Sequence, residues 1–174
     1  MSAYAELAAS TNFSFLRGAS HPEELVMQAK ALGLSGLGVA DRNSVAGVVR
    51  AHEAAKEHGL RLAAGVRLVF ADATPDILAY PQDRAAWAQL TRLLTLGKRR
   101  AEKGACTLHL DDLLAHAAGL NAPVIVENGG RRIEGLFEAI DAEGRLIVAA
   151  NGTRETITAG DVFFGNAGSL KMMR

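Results

Sequence analysis

Cysteine is nearly absent from this chain of 174 residues, which also holds only four prolines and one tryptophan. The lone thiol, Cys106, excludes an internal disulfide and any zinc site built from several thiolates. An excess of one charge is missing too, because 19 Lys and Arg balance 19 Asp and Glu. Splitting the chain near Leu120 leaves both parts close to neutral. The whole is therefore neither a strongly basic nucleic-acid binder nor an acidic tail. No apolar run approaches the roughly 20 residues that cross a bilayer, so no membrane partner is expected. The first residues lack a basic stretch followed by an apolar one, so no secretory signal is expected and the expected location is cytoplasmic. What is present is the mixture of a globular protein, 49% apolar and 22% charged. The length suits one domain, or a medium domain with a small one.

Residues 1–97 alternate strand-like and helix-like segments. Tyr4–Ala8 reads as a strand. Ser20-His21-Pro22-Glu23 reads as a capped helix start, with a glutamate three residues after the serine and proline in the first turn. From Pro22 to Leu32 the apolar residues Leu25, Val26, Ala29 and Leu32 share one face, and Gly33 stops the helix. Leu37–Ala40 is an apolar strand delivering Asp41 at its carboxyl end. Ser44 caps a helix that runs to His58. Leu62–Phe70 and Asp76–Tyr80 read as strands, and Asp83–Leu96 as a helix. Repetition at this spacing predicts parallel strands with crossover helices. Chemistry in such folds lies beyond the carboxyl ends of the strands, which selects Ala8–Asn12, Asp41–Ser44 and Arg67.

A basic segment, Lys98–Lys103, and a short helix, Leu110–Ala118, follow. The texture then changes. Val124–Val126, Ile133–Ile140, Arg145–Ala149 and Thr156–Phe164 are β-rich, with turn signals at Asn128-Gly129-Gly130, Asp141–Gly144 and Asn151-Gly152. They predict an antiparallel meander the size of a small barrel.

Chemistry-bearing residues are sparse. His21, His52, His58, His109 and His116 form no HxH or HxxxH pair, and locally bonded or solvated histidines account for them. Cys106 lies in a basic segment that would lower its pKa, but no His–Asp partner is placed beside it. Neither GxxxxGK[ST] nor GxGxxG occurs. The cations Lys98, Arg99, Arg100 and Lys103 form a small patch suited to phosphates, interrupted by Glu102. Phe13 and Phe15 suit either base stacking or a packed turn.

Certain stretches resemble a known family. They are Tyr4–Leu7, Asn12–Leu25, Leu37–Ser44, Gly47–His52, Tyr80-Pro81 with Asp83–Ala86, and Arg92–Lys98. Together they resemble the opening of the polymerase-and-histidinol-phosphatase (PHP) domain of bacterial C-family DNA polymerases, nearest the error-prone branch. The resemblance covers about residues 3–120. It implies a (β/α)-type barrel whose active members hold metal through an HxH pair, an Asp-His pair and a glutamate. Those positions fall here on Ala8, Ser10, Asp41, Arg42 and Arg67, of which only Asp41 keeps a ligand. The implied metal-activated hydrolysis has no visible machinery, and no cofactor is expected. Palm, fingers and thumb regions are absent from the sequence, so polymerization by this chain alone is not expected.

Residues 117–174 resemble a second family. Ala117–Leu120, Pro123-Val124, Ile133–Phe137, Ile140-Asp141, Gly144–Ile147 and Ala159–Phe163 are similar to the C-terminal domain of biotin–protein ligases, an SH3-like barrel. The Gly/Arg-rich loop of the ligase's central domain has no counterpart, so no biotin-binding residue carries over.

The expected fold is therefore α/β: a partial PHP-type barrel or an open parallel sheet over 1–119, then a small antiparallel SH3-like β-barrel over 120–174. The two resemblances meet around His116–Leu120, which reads as the junction of a chimera or of a rearranged gene. Three functions stay open. One is a non-catalytic structural or interaction module. Another is a DNA-binding module using Arg17, Lys98, Arg99, Arg100 and Lys103. The third is a metal phosphoesterase or ligase fragment. The partners these imply are DNA, DNA-polymerase components, or a second copy at an open sheet edge.

Overall fold

The computed structural model describes residues 4–116, 121–128, 130–141, 143–158 and 161–164. The chain divides into two compact units, Met1–Leu108 and His109–Arg174. The junction read from the sequence at residues 119 and 120 lies outside the described residues.

In the first unit, β1 (Ala5–Ala9), α1 (Pro22–Ala31), β2 (Gly36–Arg42), α2 (Val48–His58) and β3 (Arg61–Leu68) form two consecutive strand–helix–strand turns. The three strands are parallel, with Leu37 beside Leu62 and Arg42 beside Arg67. Leu37, Val39 and Leu62 pack against Val26 and Ala29 of α1 and Ala51, Ala54 and Ala55 of α2. Small residues on α2 let that helix lie close to the sheet. Gly38 does the same for β1, because a Cβ there would sit 2.8 Å from Cα of Leu7.

The sequence pattern misplaces several details. The strand read at Asp76–Tyr80 forms β4 (Ile77–Ala79), but it runs antiparallel to β3. The connection from Val69 to Asp76 holds no helix, and a return without a crossover can only pair antiparallel. The four-stranded sheet has the order β1-β2-β3-β4. Helix α1 is capped one residue later than expected, at His21, whose N–H is bonded by the Glu24 carboxylate at 2.7 Å. The Ser20 carbonyl is instead used by the Asn12 N–H. Ser44 does not cap α2. Its hydroxyl accepts from the Ala46 N–H in a local turn, and α2 begins after Gly47. Helix α3 (Arg84–Arg100) runs past Leu96 and takes in Lys98, Arg99 and Arg100 as its last turn. Cations at a helix carboxyl end are favoured by the helix dipole, which explains the extension.

In the second unit, α4 (Leu110–His116) precedes β5 (Pro123–Asn128), β6 (Arg131–Ile140), β7 (Leu146–Ala150), β8 (Thr153–Ile157) and β9 (Asp161–Phe164). All neighbours are antiparallel, in the order β8-β7-β6-β5-β9. The segment expected as one strand, Thr156–Phe164, is two: β8 ends at Ile157, and β9 returns beside β5. Val124, Val126, Ile133, Phe137, Val148, Ala150 and Ile157 form its core, with Leu114 of α4 packed on it. Arg131 pairs with Glu155 at 2.9 Å, and Arg154 pairs with Glu138 across the outer surface. No helix of the described residues is long and apolar enough to cross a membrane.

Candidate functional site

The carboxyl ends of β1, β2 and β3 lie together, and each of the five suspected ligand positions is found there. Ala8 is in β1, and Ser10 follows it; both are half-buried. Asp41 and Arg42 close β2, and Arg67 lies near the end of β3. Side chains alternate along a strand, so Asp41 and Arg42 face opposite sides of the sheet. Arg42 and Arg67 are register partners and therefore share a side. The Arg67 guanidinium reaches Asp76 at 3.8 Å.

Asp41 is 1% exposed, and both of its carboxylate oxygens accept hydrogen bonds from the loop. Its Oδ1 accepts from the Thr11 N–H at 2.8 Å and from the Ser14 hydroxyl at 2.6 Å. Its Oδ2 accepts from the Thr11 hydroxyl at 2.8 Å. The Ser14 hydroxyl accepts in turn from the Arg42 N–H at 3.0 Å, and the Thr11 hydroxyl from the Phe13 N–H at 3.1 Å. The carboxylate thus ties the turn at residues 11–17 to the end of β2. Gly47 closes over it: a Cβ there would lie 3.1 Å from Asp41 Oδ2, Thr11 Oγ1 and Pro22 Cγ. Next along the chain, Asn43 has φ 45 and is buried. Its side-chain amide bonds both the N–H and the carbonyl of Val69, at 2.9 and 3.0 Å, continuing the β2–β3 ladder through a side chain.

These residues do not fit a divalent metal. Arg42 and Arg67 occupy two positions where the resemblance implies ligands, Ala8 offers no side-chain donor atom, and the one carboxylate is enclosed and accepts three hydrogen bonds from protein. Among the described residues, no three His, Cys, Asp or Glu side chains are placed to share an ion.

Beyond the end of β2 opens a cleft of about 650 Å³. Its walls include Phe13, Phe15, Arg42, Lys98, Lys103 and Cys106, with Glu102 also present. The structure thus brings Lys98 and Lys103 together with Arg42 and the two phenylalanines. It does not include the other cations selected from the sequence. Arg99 and Arg100 line a separate depression with Arg92, Thr95 and Leu96. Arg17 is exposed in the turn that carries Phe13 and Phe15, but it is not part of the cleft wall. Among the described residues, no carboxylate pairs with Arg42, Lys98 or Lys103.

The basic surroundings do not lower the Cys106 pKa. Burial pushes its thiol up, and the opposing effect of Lys98 is smaller. Cys106 is half-buried because its sulfur packs where a Cβ on Gly97 would come within 2.7 Å. Iodoacetamide should therefore alkylate Cys106 at pH 7 more slowly than a free cysteine, with the rate rising as pH passes above the ordinary thiol range. A faster reaction at neutral pH, followed by mass spectrometry, would contradict this burial-dominated thiol.

Thr11 and Ser14 were not singled out from the sequence. They lie three apart in a turn, and nothing local shows that both hydroxyls reach a carboxylate about thirty residues on.

The biotin protein ligase C terminal domain family matches residues 119–165. About two thirds of the chain is similar to error-prone DNA polymerases. It is 63% identical over 111 residues to error-prone DNA polymerase 1 of Rhizobium meliloti (strain 1021), covering 64% of this chain and 10% of that protein. It is 60% identical over 116 residues to the error-prone DNA polymerase of Caulobacter vibrioides, covering 67% and 11%. The chain thus spans about a tenth of the length of these relatives. Among solved structures, a putative metal-dependent phosphoesterase from Bifidobacterium adolescentis matches with a TM-score of 0.43 and 30% identity, over 57% of this chain and 36% of that one.

Proposed function

We propose that the chain is a non-catalytic structural and interaction module. In this reading its N-terminal part derives from the PHP region of an error-prone DNA polymerase. Its C-terminal part is an SH3-like barrel of the biotin-ligase type, joined to it as a chimera near residues 119–120. The carrying observation is the Asp41 carboxylate, which bonds Thr11 and Ser14 and so holds the fold. A group committed in that way is a structural strut, and Arg42 and Arg67, on the opposite face of the sheet, add no ligand to it. The setting this suggests is cytoplasmic, with DNA or DNA-polymerase components as partners. Self-association through the open β1 edge belongs to the same reading.

The test is metal analysis of the dialysed protein together with hydrolysis of bis(p-nitrophenyl) phosphate in added Mn²⁺. No stoichiometric ion and no hydrolysis above buffer are expected. A retained ion, or turnover lost on Asp41→Asn, would overturn the reading in favour of a phosphoesterase.

A second reading is DNA contact through the Lys98–Lys103 segment. Two of its cations, Lys98 and Lys103, favour it by sharing one cleft with Arg42.

A further inference from the structure

We infer that the cleft beyond the carboxyl end of β2 binds single-stranded nucleic acid, with Arg42, Lys98 and Lys103 on the phosphates and Phe15 stacked against a base. This rests on the non-catalytic reading above, since it uses the arginine in place of a metal ligand to hold phosphate rather than to hydrolyse it.

Three observations carry it. The first is charge. Three cations without a described carboxylate partner surround one concavity, and Glu102 offsets only one of them. The second is aromatic surface. Phe15 is 83% exposed and Phe13 39% exposed at the same cleft, where burial would be the apolar preference. Exposed rings beside cations suit unstacked bases on a phosphate backbone, because every base has a face that stacks. A duplex keeps its bases inside, and an acidic peptide would engage the cations but leave the rings idle. The third is rigidity. The turn bearing Phe15 is fixed at Thr11 and Ser14 by Asp41. Leu16, next in the chain and 88% exposed, holds a left-handed backbone at φ 60, a costly conformation for a residue other than glycine. The ring is thus presented outward on a fixed support, which reduces the ordering cost of stacking.

The site differs from the patch read in the sequence. Arg42 and the two phenylalanines enter it, while Arg99 and Arg100 leave it for a different depression. That difference supplies the control.

The experiment is fluorescence anisotropy of a 5′-labelled oligo-dT titrated with the full chain at several salt concentrations. Saturable binding is expected, with log K falling against log salt at a slope of about −2 for three phosphate contacts on a single strand. Phe15→Ala should weaken binding about five- to hundred-fold, the range for loss of one stacked base. Because Phe15 is exposed, that variant keeps its fold. The triple variant Arg42→Ala/Lys98→Ala/Lys103→Ala should lose saturable binding while retaining the wild-type far-ultraviolet circular dichroism. Arg99→Ala/Arg100→Ala should bind as the parent does.

Absence of saturable binding at low salt would overturn the inference. So would equal affinity for a duplex of the same length, an equal loss in the Arg99/Arg100 variant, or polyglutamate binding indifferent to Phe15→Ala. Cleavage of the oligonucleotide in Mn²⁺ would overturn the non-catalytic reading instead. Failure to bind without cleavage would sink this inference and leave that reading standing.

Discussion

Replacing Asp41 by alanine is expected to cost about 3–5 kcal/mol of folding stability, because three buried donors lose their acceptor at once. Those donors are the Thr11 N–H, the Thr11 hydroxyl and the Ser14 hydroxyl. Thr11 and Ser14 are both buried, so water cannot readily replace the carboxylate. Asparagine should be much milder, at about 1–2 kcal/mol. Its Oδ1 keeps the Thr11 N–H and Ser14 bonds, and the Thr11 hydroxyl can rotate to accept from the new amide. Urea unfolding followed at Trp87, the single tryptophan, measures both variants. Equal stability of the parent and the alanine variant would show that Asp41 does not hold the turn.

Truncating Phe137 to alanine should be as damaging in the second unit, about 3–5 kcal/mol. The ring is 3% exposed and packs with Val124 and Val126 of β5, Ile133 of β6 and Val148 of β7. Removing it leaves a void that a small sheet core cannot collapse to fill, since the surrounding residues are stiff and β-branched. Hydrogen exchange at the Val124 and Val148 amides measures the loss. Protection factors unchanged from the parent would mean that this cluster is not the unit's core.

Much of the first unit was legible because its apolar residues recur with helical period between short apolar strands. Leu25, Val26 and Ala29 show one face of α1, and Leu37 to Ala40 show a buried strand. The local pattern carries no information on direction, which is why β4 reads as one more parallel strand. Its antiparallel pairing follows from the missing crossover helix, a property of the connection and not of Ile77–Ala79. Helix ends were the least legible parts. Ser20 and Ser44 have the right chemistry for caps, yet each is drawn into a neighbouring turn.

The site was legible by position and not by connection. Asp41 stands out because it ends a buried strand, but its partners Thr11 and Ser14 are ordinary turn residues. The division of the cationic segment is hidden from the sequence for a related reason. A run of Lys and Arg in sequence spreads around a helix once α3 extends through Arg100, so neighbours in the chain point apart. Lys98 is thereby grouped with Lys103 and Arg42, and separated from Arg99 and Arg100.

The enclosure of Asp41 also has an evolutionary side. If the proposed reading holds, a chain gaining hydrolysis at this place would need imidazoles or a carboxylate in place of Ala8, Ser10, Arg42 and Arg67, and it would need Asp41 to let go of the turn. Each step taken alone removes an existing contact or adds an unpaired group, and none is rewarded until the last. On the non-catalytic reading proposed above, the carboxylate works as a ratchet: the same three bonds that hold the turn would have to break before Asp41 could serve a metal.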